Sequence, residues 1–266
     1  MTTSKTVLTS LSAAMDGGFA AIADVSTAMR AAGAADAYRL IGGVAVMLHI
    51  NRLGLDLPLR ATGDADFGVP PHVLRRPELV SEIEALGYKR VFGNRWERPI
   101  DGRRVAAVDL LVPTYRSRAR DTVTVGDVVT TEVPGLAEAL QRPGVTIEAE
   151  LRLSNGAQLD ATVVLPDAVG VLALKTLVRS VRDERRDVED LWRCLEIAAA
   201  EGVTPSMFDN DQPLGHVREV VWQQLGPTGR ALPQLTEGLQ EEPAARLRTR
   251  VRALIAEVVG SPSLSD

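Results

Sequence analysis

The chain has 266 residues, enough for one large domain or two small ones. With 45% hydrophobic and 24% charged residues it can bury an ordinary globular core, and a formal net charge of −5 argues against a protein that coats nucleic acid through bulk charge. The single cysteine, Cys194, excludes an internal disulfide and a cysteine metal site; no run approaches a membrane span; and Met1–Ala14 lacks a secretory pattern, so a cytoplasmic protein without membrane partners is expected.

In chain order, Met15, Phe19, Ile22, Val25 and Met29 recur on one face and predict a helix over 15–32, with Gly33 at its C-cap. A short strand over Tyr38–Ile41 runs into Gly42-Gly43, and Val44, Met47 and Leu48 open a second helix. Residues 53–60 read as a loop closed to helix by Pro58, followed by a strand over Asp64–Val69 that ends at Pro70-Pro71. Pro77 to Leu86 predicts a helix stopped by Gly87. Residues 88–112 read as two strands joined by a turn over 98–104. Further strands are expected over 122–133, 145–153 and 158–165, the last two joined by an Asn155-Gly156 hairpin turn. From Pro166 the period is helical, with stripes led by Val171, Val188, Val217 and Leu247, and a frayed tail over 261–266. The pattern is that of an α/β (α+β) protein: a mixed-sheet core over 1–165 and a helical region over 166–266 that covers its open side.

The chemistry-bearing stretch is Arg60-Ala61-Thr62-Gly63-Asp64-Ala65-Asp66. On a strand Asp64 and Asp66 share a face, and two aligned carboxylates are costly to bury without a cation such as Mg²⁺ between them. Alone, a D-x-D pair reads better as a solvated turn. Two features add to it. Glycines at a strand-to-helix junction, Gly42-Gly43, let backbone N–H groups approach a phosphate. Asp109, inside the apolar run Val105–Val112, needs a partner or a metal. A phosphate cradle, a carboxylate pair and a third carboxylate are the parts of a two-metal phosphoryl-transfer site.

Gly42-Gly43, Asp64-x-Asp66 and Asp109 together resemble the polymerase-β-type nucleotidyltransferase superfamily. Arg60-x-Thr62-x-Asp64-x-Asp66 is similar to its AbiEii-type branch, which includes the MenT-like toxins of toxin–antitoxin pairs. So is the run Lys175, Arg179, Arg182, then Arg186-Asp187-Val188-Glu189-Asp190-Leu191. The resemblance spans roughly residues 38 to 195, with a wider gap between the glycine and aspartate pairs than many members have. It implies transfer of a nucleoside monophosphate from an NTP to an acceptor hydroxyl, with release of pyrophosphate. Asp64, Asp66 and Asp109 would hold two Mg²⁺ ions, Lys175 would neutralise phosphate charge, and Gly42, Gly43, Arg60, Thr62, Arg179 and Arg182 would surround the nucleotide. Asp187 and Asp190 would position the cations by ion pairing, or simply start and solvate a helix.

The same resemblance implies tRNA, extended at its 3′ end, as the acceptor, and an antitoxin or kinase as a partner. Tyr115, Arg116, Arg118 and Arg120 follow the Asp109 strand and can guide a phosphate backbone, or form an ordinary solvated loop. Thr62, two residues before Asp64, is a candidate position for a silencing phosphate. Two other readings compete: a small-molecule nucleotidyltransferase acting on an aminoglycoside-like antibiotic, and a non-catalytic relative that binds nucleotide or a partner.

Overall fold

Strands and helices share this chain up to Pro166, and among the described residues only helices follow it. The computed structural model describes residues 4–59, 62–102, 104–116, 119–179, 185–209 and 212–261. By its internal contacts the chain falls into two units, Met1–Asp167 and Ala168–Asp266.

In the first unit the elements are β1 (Ser4–Thr9), α1 (Ala13–Ala31), β2 (Arg39–Ile41), α2 (Gly42–Arg52), β3 (Asp64–Gly68), α3 (Pro71–Leu74) and α4 (Pro77–Ala85). There follow β4 (Lys89–Phe92), β5 (Arg95–Pro99), β6 (Val105–Pro113), β7 (Val123–Val125), β8 (Val128–Val133), α5 (Leu136–Gln141), β9 (Gly144–Arg152) and β10 (Gln158–Pro166). The strands make two sheets rather than the single mixed sheet expected. One is three-stranded, in the order β1-β9-β10; the other is seven-stranded along β2-β3-β6-β5-β4, with β8 beside β6 and β7 beside β8. Within the larger sheet β3 and β8 run parallel to β6, while β2 is antiparallel to β3 and β5 to β6.

Helix α1 starts at Ser12, whose side chain accepts the Met15 N–H. It buries Phe19, Ile22, Val25 and Met29, each worth about 2 kcal/mol relative to exposure. Gly17 lets it lie close on the sheet, because a Cβ there would overlap the Val105 carbonyl at the start of β6. Asp16, fully buried in its first turn, accepts the Ser154 N–H at 2.8 Å and pairs with Arg104 at 3.3 Å, tying α1 to two loops. Helix α2 is anchored by His49. Its Nε2–H donates to the Pro166 carbonyl at 2.9 Å, while Nδ1 accepts from Arg52 Nε at 3.0 Å.

Two strands were less visible. β1 lies in the Ser/Thr-rich opening, where Thr6 and Leu8 alternate inward. Residues 88–112 hold three strands, not two, because Gly93-Asn94 turns the chain between β4 and β5, with Gly93 at φ +49°. All four residues of β4 are exposed, so this edge strand has no buried face to advertise it.

The second unit is helical: α6 (Ala168–Arg179), α7 (Arg185–Ala200), α8 (Gln212–Leu225), α9 (Leu232–Thr236) and α10 (Glu241–Val258). Val188, Leu191, Leu195, Val217, Val221, Val251 and Leu254 fill its interior. Cys194 is buried there as a free thiol, its pKa pushed up to about 12 by burial. Among the described residues no helix is long and apolar enough to cross a membrane. Of the expected tail over 261–266, residues 262–266 lie outside the described residues.

Candidate active site

Strand β3 alternates, with Ala65 and Phe67 buried and Asp64 and Asp66 half-buried on the other face. Phe67 anchors the buried side against Tyr38, ring centroids 5.5 Å apart. Parallel pairing sets Asp66 directly opposite Asp109 and Asp64 opposite Ala107. Directly opposite residues project from one face, so three carboxylates are gathered by two adjacent strands.

On the other side of Asp66 lies the start of α2. Ile41 pairs with Asp66, and Gly42 follows at φ +75°. A Cβ at Gly42 would overlap Asp66 Oδ2, so only glycine lets this carboxylate lie against the helix N-terminus. That terminus favours negative charge, whether from Asp66 or from a phosphate. Gly43 continues the first turn of α2.

Two further side chains belong here that sequence reading passed over. Arg95 on β5 stands opposite Asp109. Its guanidinium lies 3.0 Å from Asp64, 3.8 Å from Asp109 and 2.7 Å from Glu97. Glu97 faces Ala107, the small residue that separates it from Asp64 in the next cross-strand row. The centre is therefore three carboxylates around one arginine, with Asp66 beside them opposite Asp109. Burial raises the Asp109 pKa above the ordinary carboxylate range; Arg95 opposes this, while Asp64 and Glu97 add to it. Arg95 pays for its own desolvation with these partners, which hold its pKa up. A period-2 pattern does show that Arg95 and Glu97 share a face, but nothing local in the sequence says that the face is that of Asp109.

The oxygen-only donors, with Asp66 and Asp109 paired across one strand gap, suit a hard divalent cation in chemistry. Among the described residues, however, no three acidic, histidine or cysteine side chains come close enough together to form a ready metal cage, and Arg95 pairs with Asp64 and Asp109.

Thr62 is half-buried and precedes β3 rather than lying in it. Tyr115, Arg116 and Arg120 are exposed beyond the end of β6, with the Arg120 N–H bonded to Glu132 at 3.0 Å. Arg60, Arg118 and Arg182 lie outside the described residues. In the second unit Lys175 Nζ is 2.8 Å from Asp190, which also accepts from Arg193 at 3.1 Å. Arg179 is not part of an open basic stripe. It is buried and donates to Gln224 and Gln234, at 3.3 and 3.4 Å, bracing α6 against α8 and α9. Asp187 is buried in the first turn of α7.

No family model matches the chain, and no curated protein matches it significantly. Among solved structures it is similar to an antigenic nucleotidyltransferase-like protein from Paracoccidioides brasiliensis, with 14% identity over 91% of this chain and 96% of that one. The TM-score is 0.43, too loose a likeness to assign a family or an activity.

Proposed function

We propose that the protein is a nucleotidyltransferase that moves a nucleoside monophosphate from an NTP to an acceptor hydroxyl. The observation that carries the reading is the placement of Asp66 opposite Asp109, with Asp64 on the same face and Gly42 against Asp66. The acceptor oxygen would attack the α-phosphorus, the bond to the bridging oxygen of the β-phosphate would break, and pyrophosphate would leave. Asp109 would take the hydroxyl proton, a role suited to a carboxylate whose pKa burial has raised. Gly42 and Gly43, at the start of α2, would present N–H groups to the phosphates. Asp64, Asp66 and Asp109 would hold Mg²⁺, which supplies positive charge to the triphosphate when bound. Lys175, held by Asp190 at 2.8 Å, is the lysine we propose for neutralising phosphate charge.

For the acceptor we favour an RNA 3′ end, with tRNA and a MenT-like toxin role as the specific form and an antitoxin or kinase as regulator. An aminoglycoside-like acceptor would want an acidic pocket, whereas β4, next to Arg95, carries exposed Lys89 and Arg90. The non-catalytic reading has one observation in its favour, the Arg95 guanidinium set across Asp64 and Asp109.

Incubation with radiolabelled NTPs, Mg²⁺ and total RNA tests the proposal. Wild type should label RNA, and Asp64→Asn, Asp66→Asn and Asp109→Asn should each abolish labelling while melting cooperatively. The three losses should be far from additive, because the carboxylates act as one unit. An Asp109→Asn protein of near-normal rate, or a wild type that labels nothing, would support the non-catalytic reading.

A further inference from the structure

The carboxylate row does not stop at Arg95. Strand pairing sets Asp66 opposite Asp109, Asp109 opposite Arg95, and Arg95 opposite Phe92 on the edge strand β4. Neighbouring strands lie about 4.8 Å apart, and β4 carries a register shift between Arg90 and Phe92 that brings Phe92, rather than Val91, opposite Arg95, so Phe92 stands about 10 Å beyond Asp109 at the end of the carboxylate row. The chain has four phenylalanines, three tyrosines and three tryptophans. Only Phe92 and Tyr115, each 67% exposed, appear among the exposed large side chains of the described residues. One of the two is thus the end member of the row that carries the proposed chemistry.

The row has a direction. Gly42 and the N-terminus of α2 lie at the Asp66 end, where the phosphates of an NTP would sit, and Phe92 lies at the opposite end. A base at Phe92 would therefore belong to the acceptor, one nucleotide's span from a hydroxyl at Asp109. The platform is also braced. Asn94, in the turn after Phe92, accepts the Leu110 N–H on its carbonyl at 3.1 Å and the Thr131 hydroxyl on Oδ1 at 3.1 Å. Lys89, opposite Glu97, is exposed on the same strand, while Arg90, opposite Trp96, is exposed on its reverse and donates to the Asp127 carbonyl at 3.1 Å. An open aromatic face beside a cation is what single-stranded nucleic acid uses, with bases stacked and phosphates neutralised.

We propose that Phe92 is a stacking platform for the 3′-terminal base of a single-stranded nucleic-acid acceptor. The proposal rests on the nucleotidyl-transfer reading for its polarity, but its test needs no turnover. The full chain is titrated into a short RNA carrying 2-aminopurine at its 3′ end. Wild type should quench the fluorescence on binding. Phe92→Ala should lose the quench and bind about 10-fold more weakly. Phe92→Trp should keep the quench, whereas Phe92→Leu, apolar but without a π face, should not. The melting shift caused by NTP should be the same in all four proteins. A wild type that binds without quenching, a Phe92→Leu protein that quenches normally, or a change of oligomeric state on substitution (the mark of a protein contact) would overturn the platform. A quench that survives in wild type alongside absent transfer would sink the catalytic reading and leave the platform standing.

Discussion

Arg95 is the residue on which the candidate site turns. It neutralises Asp64 and Glu97 at hydrogen-bond distance and Asp109 at longer range, so the four side chains form one electrostatic unit. Replacing it by Gln would leave three like charges facing one another without their shared cation. Arg95→Gln should lower stability by about 2 kcal/mol, the usual scale for losing hydrogen bonds to charged groups. If these carboxylates are also metal ligands, Mg²⁺ should raise the melting temperature of Arg95→Gln by more than it raises that of wild type. Calorimetric melting with and without Mg²⁺ checks both points; equal Mg²⁺ shifts would mean that Arg95 and the ion do not compete for the same oxygens.

At the scale of elements, α2 joins the glycine turn to the end of β10 through His49. Burial, with the Arg52 charge adding to it, drives the His49 pKa down to about 3, so the folded state holds this ring neutral. The unfolded chain protonates it near pH 6.5. Between these values the unfolded state binds the extra proton, so stability is fully present above about pH 6.5 and falls as the pH drops toward 3. From this group alone the loss by pH 5.5 should be about 1.4 kcal/mol. Denaturant titrations at pH 7.5 and 5.5 should show it, and His49→Gln should flatten that part of the profile while keeping an N–H donor for the Pro166 carbonyl. In the second unit, the Lys175–Asp190 pair links α6 to α7. If Lys175 works on phosphate, Lys175→Ala should cost about 100-fold in rate. Asp190→Asn, which disturbs the same packing, should cost much less rate for a similar fall in melting temperature. Parallel losses in the two variants would reduce Lys175 to a packing residue.

At the scale of the whole molecule, the net charge of −5 means that any nucleic-acid contact must be local. Arg116 and Arg120 lie exposed beyond the end of β6, whose middle carries Asp109. If they meet single-stranded phosphates, each should contribute about 0.7 to the slope of log K against log salt. Neutralising both should weaken RNA binding and flatten that slope by about 1.4. NTP binding should stay the same. Affinities measured over a salt series decide it, and an unchanged slope would return these arginines to an ordinary solvated loop.

What could be read from the chain alone was local. The alternation of Ala65 and Phe67 with Asp64 and Asp66 put both carboxylates on one face, and the helical stripes after Pro166 marked the change to an all-helical unit. The Asn155-Gly156 turn and the prolines and glycines that bound α4 were legible for the same reason: periods and caps act within a few residues. Tertiary structure decided everything that depends on which strand lies beside which. It separated the strands into two sheets, set Asp66 against Asp109, and brought Arg95 and Glu97 into the carboxylate face. It also buried Arg179, which the sequence had set among the residues around the nucleotide. A charged side chain carries no local mark of its partner. Whether it meets water, a carboxylate or a glutamine is settled by register and packing between segments far apart in the chain, where the cost of burying an unpaired charge selects the partner.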